Sequence, residues 1–367
     1  MKTIKVVHIL PNAAIGGIQK YVYELLKEQI DNPQLQPTVL FCSTVGGMLS
    51  KFQNLNIPLH FNNLGGMDFS ISKNRKIICF INKFDIVHWH FFVPVLGLFP
   101  FSKQTKHIFT HHSVIGGARL SKKTDWLKWK LFAFFIKRKM NAVIYNSNYT
   151  REFWHKKKVK LTIEKLIYNG VNLQSENNES IDEKIAKQLS DKFVIGTSSN
   201  FIELKRIDFL IKAFSEFQKN KENVCLLIVG DGYMKNSYLA LIEKLGIQDK
   251  IIMSGHQLNV TPYQKIMDVC VFPSVTETFG LVAVECLNLG KPVIVMKDGG
   301  GIVEVVGEDS SNVVSNIDDL QTRLEFYYNN QDLLNSESLS YKQRAAFFTM
   351  DKHQQKVADF YEEVILN

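Results

Sequence analysis

Two series of short apolar runs, each run followed by a segment of helical periodicity, constrain the fold of this 367-residue chain more than any other feature. The runs are rich in Val and Ile and lack polar alternation, which is typical of parallel strands buried on both faces. The first series is IKVVHIL, PTVLFCS, FDIVHWH, KHIFTHH and NAVIYNS; the second is FVIGTSS, VCLLIVG, KIIMSGH, DVCVFPS and KPVIVMK. The sequence therefore predicts an α/β protein with two Rossmann-like domains.

A polar segment, LQSENNESIDEKIAKQLSDK, separates the two series and predicts the domain boundary. We expect a first domain at 1–172, a linker at 173–190 and a second domain at 191–345. A helix at 346–367 is expected to pack back on the first domain. Because such sheets bind ligands at the carboxyl ends of their strands, the two parallel sheets are predicted to face each other across a cleft.

Composition excludes several other classes of protein. The chain is 45% hydrophobic and 22% charged, as folded globular proteins are. No apolar run reaches the roughly 18 residues that a membrane span needs, and no signal-peptide cleavage pattern precedes the first strand. The five cysteines show no CxxC spacing and have apolar neighbours, so we expect buried thiols and no metal site. A cytoplasmic location follows as the expectation.

Positive charge is concentrated between Arg119 and Lys165, which hold fourteen Lys or Arg against three acidic residues, whereas the whole chain has a net charge of +8. Aromatic and basic residues alternate within it, at Trp126, Lys128, Trp129 and Lys130. This pattern suits an anionic membrane surface or a lipid-bearing acceptor. A core helix with a solvated basic rim is the alternative. Nucleic acid is disfavoured, because no nucleic-acid-binding module accompanies the segment.

Common phosphate-binding signatures are missing from the sequence. There is no GxxxxGK[ST], and GDGYMK has Lys235 where a dinucleotide fingerprint needs its third glycine, which disfavours ATPases and nicotinamide-dependent dehydrogenases. Gly16 and Gly17 lie between the first strand and its helix, where backbone amides can approach an anion. A tight strand-to-helix turn would use the same glycines, so both interpretations stay open.

Two glutamates eight positions apart, Glu277 and Glu285, follow the strand DVCVFPS. A helix is predicted to begin between 278 and 280, and eight helical residues rise about 12 Å. That length suits a nucleotide sugar, with sugar hydroxyls near Glu277, a diphosphate over the amides of 279–281 and a ribose near Glu285. The alternative is a helix cap followed by a solvated glutamate.

The run from Glu277 to Glu285, followed by LNLGKPVIV, resembles the E-x7-E signature of retaining glycosyltransferases of the GT-B fold, family 4 (group 1). Other segments agree with the family in kind and order: GGIQKYVYELL, DIVHWH, FTHH, AVIYNS, IYNGVN, SNFIELKRIDFLIKAF, LLIVGDG, KIIMSGH and DVCVFPS. The resemblance covers nearly the whole chain. It implies transfer of a sugar from a nucleoside diphosphate sugar to an acceptor hydroxyl, with retained configuration and no required metal or other cofactor.

The resemblance also implies roles for individual residues. His112, with His111 as its adjacent competitor, matches the family histidine beside the anomeric carbon, and Lys205 matches the diphosphate lysine. Glu285 matches the ribose ligand, whereas Glu277 and the amides of Phe279 and Gly280 match the groups that hold donor sugar and phosphate. Thr278 replaces a glycine common in the family, and Gly16 and Gly17 are expected to line the phosphate side.

Asn200 departs from the family pattern, because many members have arginine at this position. The departure lowers the positive charge available to the diphosphate, and either Arg206 or a rearranged contact is expected to compensate. His88 and His90 are candidates for shaping the acceptor side, with packing as their alternative role. We expect substitution on the same face of the sugar, because a covalent route needs two carboxyl groups about 5 to 5.5 Å apart.

The sequence says least about the identity of the acceptor. The basic segment suggests a lipid-linked saccharide of bacterial surface-polysaccharide or glycoconjugate synthesis, with peripheral association at the inner face of the cytoplasmic membrane. UDP-sugars are the expected donors because they are the commonest in the family. Two alternative functions remain: a GT-B nucleotide-sugar epimerase or hydrolase, and a non-catalytic glycosyltransferase-like partner protein.

Overall fold

A computed structural model describes residues 3–44, 46–62, 70–114, 123–173 and 181–367, with only the helical backbone described at 123–128. The chain forms two compact units. The first comprises Met1–Asn172 and Thr349–Asn367, and the second comprises Leu173–Phe348. The C-terminal helix therefore belongs to the first unit, although the rest of that unit ends almost two hundred residues earlier.

Each unit is built on one parallel sheet, and both faces of each sheet are covered. The seven-stranded sheet of the first unit has the order β3-β2-β1-β4-β5-β6-β7, and the six-stranded sheet of the second has the order β10-β9-β8-β11-β12-β13. The strands are β1 (Ile4–Leu10), β2 (Leu35–Phe41), β3 (Leu59–Phe61), β4 (Ile86–Trp89), β5 (Lys106–His111), β6 (Ala142–Tyr145), β7 (Ile163–Leu166), β8 (Phe193–Ser198), β9 (Val224–Val229), β10 (Ile251–Gly255), β11 (Val269–Phe272), β12 (Val293–Met296) and β13 (Val313–Val314).

α-Helices supply the crossovers between successive parallel strands, except between β4 and β5, where the connection contains a 3-10 turn. The helices are α1 (Gly17–Ile30), α2 (Leu49–Gln53), α3 (Ile71–Ile81), α4 (Lys123–Lys139), α5 (Asn148–Lys156), α6 (Glu183–Leu189), α7 (Ile207–Phe217), α8 (Lys235–Leu245), α9 (Thr261–Ile266), α10 (Leu281–Asn288), α11 (Gly301–Val306), α12 (Ile317–Asn329), α13 (Asp332–Ser336), α14 (Ser338–Ala345) and α15 (Met350–Leu366). Short 3-10 turns lie at Pro94–Leu98, Glu203–Lys205, Gln248–Lys250 and Ala346–Phe348.

The first sheet packs different helices on its two faces because successive side chains of a strand point in opposite directions. Val7 and Trp89 lie on the face covered by α3, α4 and α5. Val6 and Ile86 lie on the opposite face, where α15 contributes Val357, Phe360, Tyr361 and Val364. The C-terminal helix thus completes one side of the first core. In the second unit, apolar residues of α7 and α12 pack against apolar residues of β8 and β9 in a single core cluster.

The α/β architecture predicted from the sequence is confirmed, with strands β3, β7 and β13 in addition. These three strands lie at sheet edges and are only two to four residues long, so their apolar signal is weak. The predicted linker at 173–190 contains helix α6, whose Leu189 is buried; its residues 174–180 lie outside the described ranges.

The expectation of five buried thiols is wrong for Cys79, which lies on an exposed face of α3, whereas Cys42, Cys225, Cys270 and Cys286 are buried. Burial raises the pKa of Cys42 to about 12 and that of Cys225 to about 11, so neither thiol is a ready nucleophile. In the residues that the structure describes, no helix is both long and apolar enough to cross a bilayer.

The packing of α15 predicts the effect of truncating its central side chain. Phe360 is fully buried, so Phe360→Ala should lower the free energy of unfolding of the first unit by about 3–5 kcal/mol. All four tryptophans, at positions 89, 126, 129 and 154, belong to this unit, so urea unfolding followed by tryptophan fluorescence reports on it. Glu362→Ala, on the exposed face of α15, is the matched control. Equal midpoints for the two variants would contradict the packing described.

Candidate functional site

Three loops of the second unit lie at the carboxyl ends of neighbouring strands in the middle of its sheet. They follow β8, β11 and β12, which are adjacent in the strand order. The loops span 199–206, 273–280 and 297–300. This edge is where open α/β sheets bind ligands, and most of the site residues predicted in the second unit lie on it.

Lys205 and Glu277 form an ion pair across two of these loops, with the Lys205 ammonium donating to Glu277 Oε1. The two side chains are 21% and 19% exposed. Partial burial strengthens the pair relative to a surface ion pair and restricts both side chains. The sequence suggested both residues but not their contact, since 72 positions separate them.

Backbone hydrogen bonds hold the three loops together around Glu277. The Val275 amide donates to Leu204 O at 2.9 Å, and the Glu277 amide donates to Gly299 O at 2.8 Å. The Gly301 amide in turn donates to Glu277 O at 2.7 Å. The glycine run 299–301 is a part of the site that the sequence reasoning missed, although three consecutive glycines after a strand were a usable signal.

Two residues at this edge of the sheet have positive φ angles although they carry side chains. Thr276 has φ 62° and Arg206 has φ 46°, which are uncommon for residues with a side chain and especially for a β-branched one. Arg206 donates from Nε to Pro273 O at 2.8 Å and from its guanidinium to Asp298. Arg206 thus connects the ends of β11 and β12.

Helix α10, which carries Glu285, begins at Leu281, not between 278 and 280 as expected. Gly280 delays the start: it has φ 96°, and a β-carbon there would lie 2.5 Å from Ile302 Cγ1. The expected 12 Å of helix between Glu277 and Glu285 is therefore wrong, because 277–280 is not helical. Phe279 is buried and packs edge-on against Phe348, with the ring centroids 5.5 Å apart. Thr278 and Glu285 are half-buried.

The remaining nucleotide-side candidates are Asn200 in the second unit and Gly16 and Gly17 in the first. Asn200 is exposed in the loop after β8, and its carbonyl accepts from the Ile202 amide at 3.0 Å. Gly16 and Gly17 belong to the first unit, where Gly16 caps α1 in an extended conformation. A β-carbon on Gly17 would meet no atom within 4 Å. Packing within this unit therefore gives no reason for glycine at position 17.

The structure distinguishes His111 from His112. His111 is the last residue of β5 and is buried against Tyr145 and Trp154, with ring centroids 5.1 and 4.3 Å away. His112 follows the strand on the opposite face, is half-buried, and lies 5.0 Å from the ring of Tyr21. Alternation along the strand explains the difference. His112 is thus the better placed of the two for contact with a ligand.

Buried imidazoles surround His112 within the first unit. His90 Nδ1 lies 2.9 Å from His112 Nε2, and His8 Nδ1 lies 2.9 Å from His90 Nε2. Burial lowers the pKa of His8 to about 4 and that of His112 to about 3, and the neighbouring His353 further disfavours protonation of His112. Burial also lowers the pKa of His90 well below its ordinary value. These rings are therefore neutral at physiological pH.

His8, His88 and His90 have ring nitrogens within 4.8 Å of one another, a spacing that could hold a metal ion. All six ring nitrogens take part in hydrogen bonds, however. Besides the His8–His90 and His90–His112 contacts, His8 bonds Gln29 at 2.8 Å, and His88 bonds Tyr361 and Thr110, each at 2.6 Å. His88 and His90 therefore have a packing role, the alternative that the sequence left open.

The basic segment forms a groove on the first unit, at the end of α4 and the turn after α5. Its apolar residues include Leu131 and Phe134, which are 43% and 48% exposed. The groove has a volume of about 620 Å³. Five cationic residues line it: Lys130, Lys137, Arg138, Lys157 and Lys158.

Helix α4 corrects part of the surface interpretation of this segment. Trp129 packs against the core beneath the helix and is not a surface aromatic, because it shares a helix face with the buried Ala133 and Ile136. Lys130 is exposed as expected. The side chains of Trp126 and Lys128 lie outside the described residues.

Both units match sequence profiles of glycosyltransferases. Residues 167–345 match the profile described as glycosyl transferases group 1, and residues 15–175 match the profile described as glycosyltransferase family 4. A glycosyltransferase of Methanocaldococcus jannaschii, MJ1178, is 25% identical over 362 residues, which cover 95% of each chain.

Local similarity is higher to other relatives. An N-acetylgalactosamine-N,N'-diacetylbacillosaminyl-diphospho-undecaprenol 4-alpha-N-acetylgalactosaminyltransferase of Campylobacter jejuni is 28% identical over 153 residues, covering 42% of this chain and 40% of the relative. The chain spans about a third to two fifths of the length of the first curated relatives that it matches. Anabaena Alr3699/HepE, whose crystal structure contains UDP and glucose, superposes with a TM-score of 0.81 at 18% identity, covering 98% of this chain and 100% of that one.

The buried histidines predict that acid destabilises the first unit. Their pKa values are lowered from 6.5 on folding, to about 4 for His8 and His353 and about 3 for His112. Their contribution to stability is therefore complete above pH 6.5 and is lost as pH falls toward 3, because only the unfolded chain binds the protons. The loss is about 1.4 kcal/mol per pH unit for each histidine that stays neutral.

Urea unfolding at pH 7.5, 6 and 5, followed by tryptophan fluorescence, measures this loss. The midpoint should fall steadily below pH 6.5. The variant His8→Gln should show a shallower pH dependence than the wild type because it removes one of the titrating rings. A midpoint that is constant from pH 7.5 to 5 would contradict neutral burial of the cluster.

Proposed function

Because the chain belongs to the group 1, family 4 glycosyltransferases of the GT-B fold, we propose that it moves a sugar from a UDP-sugar to a saccharide hydroxyl with retention of configuration. The observation that carries this proposal is the Lys205–Glu277 ion pair, held by backbone hydrogen bonds to the glycine run 299–301. It places one ammonium group and one carboxylate together at the ligand-binding edge of the second sheet. Those groups suit a diphosphate and a sugar hydroxyl, respectively.

Donor binding is assigned to the second unit. Lys205 and the amides of Phe279 and Gly280 would hold the diphosphate, with α10 contributing its N-terminal dipole. Glu277 would accept hydrogen bonds from sugar hydroxyls, and Glu285, one turn into α10, from the ribose. Arg206 holds Pro273 and Asp298 in place, and either Arg206 or a rearranged contact is expected to compensate for the lower positive charge at Asn200. Gly16 and Gly17 stay candidates for the phosphate side.

The proposed chemistry is substitution on one face of the sugar. The bond from the anomeric carbon to the phosphate oxygen breaks, and the acceptor oxygen forms the new bond from the same side. The acceptor's proton passes to the departing diphosphate, whose charge Lys205 and the loop amides stabilise without a required metal. The contact of Glu277 with Lys205 supports a binding role over a nucleophilic one, because the ammonium group already occupies one oxygen of the carboxylate.

His112 is assigned to the donor sugar. As a neutral imidazole it can exchange hydrogen bonds with hydroxyl groups and is polarisable toward the positive charge that develops at the anomeric carbon. A neutral ring costs less to bury than an imidazolium ion, which fits its surroundings of other imidazoles.

UDP is favoured as the nucleotide. Alr3699/HepE, which shares the fold, is described in complex with UDP and glucose and also with UDP-glucose. A second neighbour in fold, TarM of S. aureus, is also described in complex with UDP. These likenesses support the nucleotide and leave the transferred sugar open.

Calorimetric titration of the protein with UDP, GDP and ADP, in buffer containing EDTA, tests the donor site. We expect UDP to bind, and Glu285→Ala to weaken it about 10- to 100-fold through the loss of hydrogen bonds to a charged acceptor. Glu243→Ala, which removes an exposed glutamate of α8, is the control and should bind as the wild type does.

Three outcomes would count against the proposal. No binding of any nucleotide at millimolar concentration would favour a non-catalytic partner protein. Binding only after magnesium is added would contradict metal independence. Turnover of a UDP-sugar at full rate without an acceptor would favour a hydrolase or epimerase.

The acceptor is proposed to be a lipid-linked saccharide of surface-polysaccharide or glycoconjugate synthesis. Two observations support it: the Campylobacter jejuni relative is named for a diphospho-undecaprenol acceptor, and the groove on the first unit combines five cations with exposed Leu131 and Phe134. Cations attract anionic headgroups and apolar side chains enter the interface. Peripheral association with the inner face of the cytoplasmic membrane follows as part of the same proposal.

Vesicle binding tests the groove. The double variant Lys137→Glu/Arg138→Glu should bind vesicles of phosphatidylcholine and phosphatidylglycerol at least about tenfold more weakly than the wild type, at about 1 kcal/mol for each lost cation. The double variant Lys184→Glu/Lys187→Glu makes the same charge change on exposed positions of α6 and should bind normally. Equal losses in both variants would indicate a general charge effect, and binding that is insensitive to salt would contradict the electrostatic basis.

A further inference from the structure

Lys205 and Glu277 each lie next to a residue whose backbone is left-handed. Arg206 follows Lys205 with φ 46°, and Thr276 precedes Glu277 with φ 62°. Glycine adopts this conformation more readily than residues that carry a β-carbon. Contacts with the surrounding structure must therefore hold both bends, and bends of this kind are typical of functional loops.

Asp298, in the loop after β12, contacts both bends. Its carboxylate accepts a hydrogen bond from the Arg206 guanidinium, and its main-chain carbonyl accepts one from the Thr276 amide at 3.4 Å. One residue thus connects the position after Lys205 with the position before Glu277.

Arg206 completes this connection through the shape of its side chain. Its Nε donates to Pro273 O at 2.8 Å, while another guanidinium nitrogen donates to Asp298. A planar guanidinium holds two acceptors at fixed positions, whereas a lysine ammonium is a single point charge. The Arg206 amide also donates to Glu203 O at 3.0 Å, at the end of the 3-10 turn that carries Lys205. Arg206 therefore fixes the orientation of that turn relative to the loops after β11 and β12.

We propose that Arg206 and Asp298 are positioning residues that hold the Lys205 ammonium and the Glu277 carboxylate where a nucleoside diphosphate sugar needs them. This inference rests on the proposed donor site. In this role Arg206 compensates for Asn200 indirectly, by holding Lys205, rather than by contacting the diphosphate itself.

The pair of Arg206 and Asp298 is placed to affect the site more than the stability of the fold. The two side chains are 27% and 57% exposed. Ion pairs this close to solvent add little to stability because water screens them. Arg206→Lys and Asp298→Ala should therefore unfold in urea at nearly the wild-type midpoint, measured by circular dichroism.

Hydrogen exchange of main-chain amides tests the positioning without any nucleotide. The amides of Val275 and Glu277 donate to carbonyl groups in the loops after β8 and β12, so both report on contacts among the three loops. Arg206→Lys and Asp298→Ala should speed the exchange of both amides about tenfold. Asp309→Ala, which removes an exposed aspartate between α11 and β13, is the matched control and should exchange as the wild type does.

Calorimetric titration with UDP separates positioning from direct contact. Asp298→Ala removes a negative charge near an anion site, a change that by itself favours the anion. It should nevertheless weaken UDP binding about tenfold, because the charge-assisted hydrogen bond that orients Lys205 is lost. Arg206→Lys keeps the positive charge and should weaken binding to the same extent, because it loses the planar fork. Asp309→Ala should bind as the wild type does.

A second background tests whether the effect acts through Lys205. In Lys205→Met, the added change Asp298→Ala should alter the affinity for UDP less than about twofold, because no ammonium group is left to position. A general weakening of the fold would lower the affinity by the same factor in both backgrounds. The double-mutant cycle therefore distinguishes a positioning role from a structural one.

The outcomes that would overturn this inference differ from those that would overturn the donor assignment. Tighter UDP binding by Asp298→Ala would refute the indirect role, because the released Arg206 guanidinium would then be contacting the diphosphate. Unchanged exchange of the Val275 and Glu277 amides in both variants would show that the pair does not hold the loops. If no nucleotide binds to the wild type, the donor assignment fails, and the exchange rates still decide whether Arg206 and Asp298 hold the loops.

Discussion

Burial of both faces of two parallel sheets is the constraint on which the rest of this structure depends. Strands such as β1, β4 and β8 are covered on each side, so most polar groups that are to meet a ligand lie where the strands end. The loops after β8, β11 and β12 meet this condition in the second unit. Lys205 and Glu277 form their ion pair there, and the adjacent backbone adopts unfavourable angles at Thr276 and Arg206.

Polar side chains that do lie inside the first unit have to find partners within it, because an unpaired polar group in a core is costly. His8, His88 and His90 are paired with one another or with Gln29, Thr110 and Tyr361. Helix α15 supplies Tyr361, and it also supplies His353, which accepts from Tyr21. The last helix of the chain thus contributes to the polar interior and to the apolar core of a unit whose other elements end at Asn172.

The candidate site of the second unit contains a sterically required glycine and an ion pair, whereas the surroundings of His112 in the first unit consist of neutral rings. In the second unit, Gly280 is required sterically beside Ile302, and its conformation sets where α10 begins. In the first unit, the polar groups in hydrogen-bonded series with His112 are the neutral imidazoles of His90 and His8. Under the proposed function, the cation Lys205 would stabilise the departing diphosphate, and the neutral ring of His112 would stabilise the positive charge that develops on the sugar.

The sequence by itself determined the α/β class and ten of the strands, because apolar periodicity and turn glycines are local signals. The candidates Lys205 and His112 came from the resemblance to the family, and Glu277 and Glu285 came from their spacing together with that resemblance. The sequence could not determine the short edge strands, the start of α10 or the burial of Trp129, which depend on what packs against them. Only the tertiary structure showed that His111 is buried and His112 half-buried, joined Lys205 to Glu277, and aligned Gln29, His8 and His90. Those contacts depend on strand register and on residues far apart in the chain, and no local pattern records them.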